Sequence, residues 1–353
     1  MKAFFSTDPA HITCSTANLA TFTRQLSTLL GAGIPLHEAL DSLTRLQTDK
    51  LSLWVTPDLH AKVMNGHRFS SALSRFPRVF PATFVALVRG SEESGQLVTV
   101  LGRLADWLEK QDSIARQVKK AIIYPTFVIA LAGVLTLALF KTVIPSILET
   151  VVGLGAELPM PTKILMGIIA LINQPAFWIL LVVFVAGTAY YLRTPQGSQQ
   201  ALLVLHHTPA IGGILSISGG ARYSHTLAML LGTGVDIIRS AKISADASGN
   251  PLIRRDSARV LKDLREGRYL SDVLSEVPVY PELLVDMIRV GDETGRLAEL
   301  ISKCGDLLEE DTLHRLSMWM ELLEPIILAV VSVLVGAILI AILMPMANLV
   351  NSL

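Results

Sequence analysis

Two short stretches combine charge, polarity and glycine in the same order: Arg89, Glu92, Glu93 and Gly95, and again Arg289, Asp292, Glu293 and Gly295. Adjacent carboxylates beside a glycine turn suit two roles. They favour a helix N-terminus, with Ser94 and Thr294 as caps, or they present a charged face to a partner. Each pair is expected between an apolar helix ending near Val88 or Ile288 and another starting at Leu97 or Leu297. Asp106 and Glu109 are three apart, hence on one helix face. With Glu93 they offer hard oxygen ligands of the kind calcium takes, although a solvated face explains them more simply, and no metal is expected.

Glu324 stands at the mouth of a long apolar stretch, where an ionisable group is costly and therefore a candidate contact. Pro325 follows it, and Tyr124-Pro125 stand at the corresponding place in an earlier stretch. Both prolines suit the first turn of a helix, where a missing N–H costs little. A second role for Glu324 is then to anchor or cap that first turn. No catalytic set is found. The chain has no GxxxxGK[ST], GxSxG or HExxH, His206 and His207 are adjacent rather than a turn apart, and Cys14 and Cys304 have no ligand-spaced partners. No cofactor is expected.

These residues sit in a chain of 353 residues with 51% hydrophobic and only 17% charged side chains. The missing charge is concentrated in residues 121–140, 164–192 and 325–353, which carry none. Crossing a bilayer takes roughly 20 apolar residues. The middle stretch is broken by Asn173-Gln174-Pro175, leaving its longer piece to span. Lys/Arg placement orients the spans: Arg116, Lys119 and Lys120 precede the first, against Lys141 beyond it, and Lys303 and Arg315 precede the third. The first and third spans then run outward. The first twenty residues carry no signal-peptide pattern, so the N-terminus is expected in the cytoplasm and the C-terminus outside. Equal numbers of basic and acidic residues, 30 each, with 6% aromatics, give no footing for direct nucleic-acid binding.

The chain also repeats itself. Shifted by 201, LLGAGI from Leu29 falls on LLGTGV from Leu230, and Gly66, Ser70, Leu73 and Pro77 fall on Gly267, Ser271, Leu274 and Pro278. Shifted by 200, Phe80-Pro81 meets Tyr280-Pro281 and GSEESGQL meets VGDETGRL. The match runs on into the spans through Pro125 and Pro325. Apolar spacing of three and four, as in Leu97, Val100, Leu101, Leu104 and Leu108, predicts helices, and nothing alternates with period two. Gly31 and Gly33 suit a left-handed helix end, with Pro35 or Asp236 opening the next helix. The expectation is an all-α integral membrane protein with two homologous cytoplasmic helical bundles and three transmembrane helices. In residue terms it comprises bundle 1–121, span 122–142, outer segment 143–174, span 175–192, bundle 193–321, span 322–345 and outer tail 346–353.

This ordered set resembles the type II secretion system protein F family, the inner-membrane platform proteins of type IV pilus and type II secretion machines. The Leu158-Pro-Met-Pro-Thr162 and His207-Thr-Pro-Ala-Ile-Gly-Gly213 connections are similar to that family too. The resemblance implies a non-enzymatic platform in the bacterial inner membrane with a periplasmic C-terminus. Implied partners are a cytoplasmic assembly ATPase, pilin or pseudopilin subunits, other inner-membrane machine components, further copies of itself and the lipid bilayer. The two charged turns would then face the ATPase or a second platform subunit, and Tyr124, Pro125, Glu324 and Pro325 a pilin-like helix or a neighbour. The alternative is a small transporter or channel-like protein with cytoplasmic regulatory domains. Three spans with so few polar groups near the bilayer fit that poorly.

Overall fold

The computed structural model describes residues 12–46, 51–145, 160–206 and 208–352. The first eleven residues, Glu149, Glu157, Leu158, Pro159 and His207 lie outside the described residues. Every element among the described residues is helical.

One compact unit takes in residues up to Arg116 and Leu202–Arg315, so the short helices of both repeats belong to it. The first repeat supplies α1 (Thr16–Gly31), α2 (Leu36–Leu46), α3 (Thr56–Met64), α4 (Phe69–Leu73), α5 (Ala82–Ser94) and the start of α6 (Leu97–Ala138). Helix α1 starts because the Ser15 hydroxyl accepts the Asn18 amide at 3.2 Å, and it buries Leu19, Phe22 and Leu26 along one stripe. It stops at Gly33, whose φ of +83° few other residues tolerate. The Ile34 amide then returns to the Leu29 carbonyl at 3.1 Å. Gly31, expected to share the left-handed conformation, does not take it and closes the helix right-handed.

The second repeat rebuilds this with α10 (Pro209–Gly232), α11 (Ile237–Ala247), α12 (Pro251–Arg265), α13 (Leu270–Ser275), α14 (Glu282–Thr294) and the start of α15 (Leu297–Ser352). Gly234 has φ +79°, Val235 returns to Leu230 at 3.1 Å, and Asp236 caps α11 by accepting the Arg239 amide at 2.9 Å. Each repeat has its own core: Leu40, Leu73, Leu87 and Leu101 in the first, Leu227, Leu274, Leu284 and Ile301 in the second, all fully buried. Burying one such side chain contributes about 1.5–3 kcal/mol. The two cores are not equivalent. The first recruits Met229, Leu230, Val235 and Ile243 from the second repeat, whereas among the described residues the second contains only its own.

The other unit holds residues 117–201 and Leu316–Leu353. It contains the remainder of α6 and α15 with α7 (Met160–Asn173), α8 (Pro175–Arg193) and most of α9 (Pro195–His206). Gln174 is extended between α7 and α8, and the Trp178 indole donates to the Ile172 carbonyl at 2.8 Å, which pins the corner. Among the described residues, three helices are long and apolar enough to cross a membrane: Leu97–Thr142, Pro175–Leu192 and Leu297–Ile340. Their apolar stretches expose Phe127, Phe184 and Val333 by 64–73%, a surface suited to lipid rather than water.

The prolines correct one expectation. Pro125 and Pro325 do not open helices; both lie inside the continuous α6 and α15. Each removes a single i→i−4 hydrogen bond, and the apolar surroundings penalise unravelling further backbone more than that one loss. Glu324 is accordingly mid-helix and caps nothing.

Candidate functional site

A second correction concerns the two charged ends. Helices α5 and α14 do not stop near Val88 and Ile288 but continue to Ser94 and Thr294, and Gly95 and Gly295 terminate them with φ of +72° and +68°. Glu92, Glu93, Asp292 and Glu293 therefore occupy last turns, where the helix dipole disfavours carboxylates. Nor do Ser94 and Thr294 cap helix starts.

Glu92 is compensated by another helix. Its carboxylate accepts the Phe69 amide at 2.6 Å, the Ser70 amide at 3.2 Å and the Ser70 hydroxyl. The five-residue α4 is too short to stand alone, and its first amides have no partner within the helix. Glu92 supplies that partner across 22 residues of sequence. Its neighbour Glu93 is exposed, 3.5 Å from Arg68. Arg89 is half-buried and, among the described residues, makes no ion pair.

The second end differs. Asp292 is one methylene shorter than Glu92 and makes no hydrogen bond to α13 among the described residues. Burial, with the nearby Asp272 charge second, holds its carboxyl above the usual carboxylate range. Arg289 is exposed and pairs with Asp286 at 3.3 Å.

The two repeats meet where α5 crosses the glycine turn of the second repeat. Ala86, Arg89, Gly90, Glu93 and Ser94 line a 320 Å³ cleft with Thr233, Gly234, Val235, Asp236 and Arg239. Gly90 permits the approach: a Cβ there would lie 3.1 Å from Val235 Cγ2 and 3.3 Å from Thr233 Oγ1. An adjoining 450 Å³ cleft sets Ala82, Ala86 and Arg89 against Arg239, Lys242, Ile243 and Asp246. No α14 residue lines either cleft.

Sequence reasoning missed a larger groove of 940 Å³ between α6, α10 and α15. At its wall the Arg24 guanidinium grips Asp106 and chelates Glu109 at 2.8 Å, filling the place considered for a cation. Those two carboxylates raise the affinity of Arg24 for its proton. Glu93 takes no part, being paired with Arg68. In the second repeat His225 meets Glu309 at 3.1 Å, and Lys110 reaches across from the first repeat to Asp306 at 2.9 Å. The repeat shifts contained the signal, because they lay Arg24 on His225, Asp106 on Asp306 and Glu109 on Glu309.

Of the candidate intramembrane residues, Tyr124 is 55% exposed and Glu324 is exposed without a hydrogen bond or ion pair among the described residues.

Comparison with known proteins places this architecture. The family model for type II secretion system (T2SS), protein F matches twice, over residues 22–145 and 223–345, each match running from one helical repeat into the long apolar helix that follows it. The type IV pilus assembly protein PilC of Thermus thermophilus is 30% identical over 339 residues, covering 95% of this chain and 83% of that protein. PilC of Pseudomonas aeruginosa is 28% identical, covering 95% and 90%. The type II secretion system protein F of Aeromonas hydrophila is 29% identical over 341 residues, covering 96% and 87%. With two family matches and three apolar helices long enough to span a bilayer, this multi-pass membrane protein belongs to the type II secretion system protein F family.

Proposed function

We propose that the chain is the inner-membrane platform of a type IV pilus or type II secretion machine, coupling a cytoplasmic assembly ATPase to the insertion of pilin-like subunits into a growing fibre. The observation that carries this reading is the duplication itself: each family match joins a helical bundle to a membrane span, so the repeated unit is a soluble surface tied to a bilayer helix. Such a unit passes force between a soluble partner and a membrane one. It has no nucleotide-binding loop of its own, so energy comes from a partner.

In this reading both bundles lie in the cytoplasm, as Arg116, Lys119, Lys120, Lys303 and Arg315 ahead of the spans favour, and the C-terminus is periplasmic. Residues 1–121 and 193–321 form the bundles and residues 122–142, 175–192 and 322–345 the spans. The chain self-associates, contacts other inner-membrane components, and offers Arg89, Glu93, Arg289 and Glu293 to protein partners. Glu324 and Tyr124 meet a pilin-like helix or a neighbouring copy.

The test is ATP hydrolysis by the detergent-purified chain, alone and with an assembly ATPase encoded beside it. The reading expects no hydrolysis by the chain alone and an altered rate for the ATPase when the chain is added. Turnover by the chain alone, surviving repurification, overturns it.

A further inference from the structure

The contact between the repeats is one-sided. Helix α5 and its last turn pack on the second repeat's glycine turn and on α11, and that repeat lends Val235 and Ile243 to the first core. A reciprocal contact would set α14 on the first repeat's glycine turn and α2. Both of those surfaces are instead open. Val290, at the place of Gly90, is 46% exposed, and Asp286 and Arg289 are exposed where Ala86 and Arg89 are half-buried. Ala32 is exposed where Thr233 is buried. Each chain thus carries one used pair of complementary faces and one unused pair.

The unused pair is complementary in charge. In the used pair Gly90 makes room for Thr233 and Val235. In the unused pair Val290 replaces glycine, Ala32 replaces threonine and Ile34 replaces Val235, so the room for the larger helix side chain comes from the alanine of the turn. The charges also change. Arg89 lines a cleft with Arg239 and Lys242; the residues equivalent to these two are Glu38 and Asp41, which would face Arg289. Asp246 is replaced by Arg45, which would face Asp286.

We propose that α14 of one copy docks on residues 32–34 and α2 of a second copy, repeating between chains the contact that α5 makes with residues 233–235 and α11 within the chain. The contact is head-to-tail, so the first copy keeps its residues 32–34 and α2 free and the second keeps its α14 free, and successive copies build a closed ring where the rotation permits. This rests on the reading of the chain as a self-associating platform and names the surface that it uses.

Disulfide trapping in full-length protein tests it. A Cβ on Gly90 would lie 3.8 Å from Thr233 Cβ, inside the roughly 3.5–4.5 Å that a disulfide needs. Gly90→Cys with Thr233→Cys is therefore the control that closes within one chain. The test pair is Val290→Cys on one tagged copy and Ala32→Cys on another, co-expressed in membranes with Cys14→Ser; Cys304 is fully buried and stays. The expected result is a two-chain adduct on oxidation only when both cysteines are present, several-fold stronger than with Tyr269→Cys, an exposed control site, in place of Val290→Cys. Failure to form it, or an equal yield with Tyr269→Cys, while an amine cross-linker still captures paired chains, overturns this interface and leaves the platform reading intact. Absence of paired chains by either method overturns the interface and self-association together.

Discussion

Gly90 and Val235 meet where the two repeats pack: a single Cβ on Gly90 would sit 3.1 Å from Val235 Cγ2. A Gly90→Val chain must push the glycine turn of the second repeat away from α5. Overpacking of this kind costs typically ~1–3 kcal/mol. The melting temperature of the detergent-solubilised protein, followed by tryptophan fluorescence, should fall by several degrees. Adding Thr233→Ala, which recreates the Val290 and Ala32 pairing, should recover part of the loss. An unchanged melt for Gly90→Val would show that the repeats do not pack here.

Glu92 and Asp292 align in the repeat but do different work. Glu92→Ala leaves the first amides of α4 unpartnered and should cost about 1–2 kcal/mol, the range for losing a helix cap. Asp292→Ala removes no such bond and should leave stability nearly unchanged. Comparing the two melts checks this, and equal losses would contradict it.

Asp292 should also set a pH dependence. Its carboxyl titrates above the usual range in the folded chain because burial disfavours the charged form. Below about pH 4 folded and unfolded chains both hold the proton, so the residue is neutral in effect. As pH rises the unfolded chain ionises first, and the folded state is penalised until its own higher pKa is passed. Asp292→Asn should therefore raise the melting temperature slightly at pH 7 and not at pH 3. A gain confined to pH 3 would reverse the assignment.

Glu324 is exposed in the middle of α15, beside Pro325, at the start of an apolar stretch. Its cost there is offset if it meets a partner helix. Glu324→Ala should reduce fibre or pseudopilus output strongly while membrane insertion and chain level stay normal. Shed fibres, scored by immunoblot beside a membrane fraction, are the readout, and normal output would rule the contact out.

The repeat was legible because duplication preserves what geometry demands: Gly33 and Gly234 share a left-handed turn, and Gly95 and Gly295 share another. The membrane helices were legible from the absence of charge. What misled was polarity read locally. Ser91-Glu92-Glu93 looks like a turn, yet the Ser91 hydroxyl bonds back to the Val88 carbonyl at 2.7 Å and Glu92 is occupied by α4, so the helix continues. Pro125 and Pro325 looked like helix starts, because a sequence window does not weigh one lost hydrogen bond against a long apolar helix. The groove was hidden by separation, Lys110 and Asp306 being 196 residues apart.

The central claim, that this chain stands between a cytoplasmic ATPase and pilin-like subunits, is tested most directly by affinity capture of the N-terminally tagged chain from detergent-solubilised membranes, with mass spectrometry of what accompanies it. The account predicts an assembly ATPase and a pilin-like protein in the captured fraction. It also predicts a weaker ATPase signal when Glu93 and Glu293 are changed to Ala together. Capture of the intact chain with neither partner, under conditions that keep its copies associated, would contradict it.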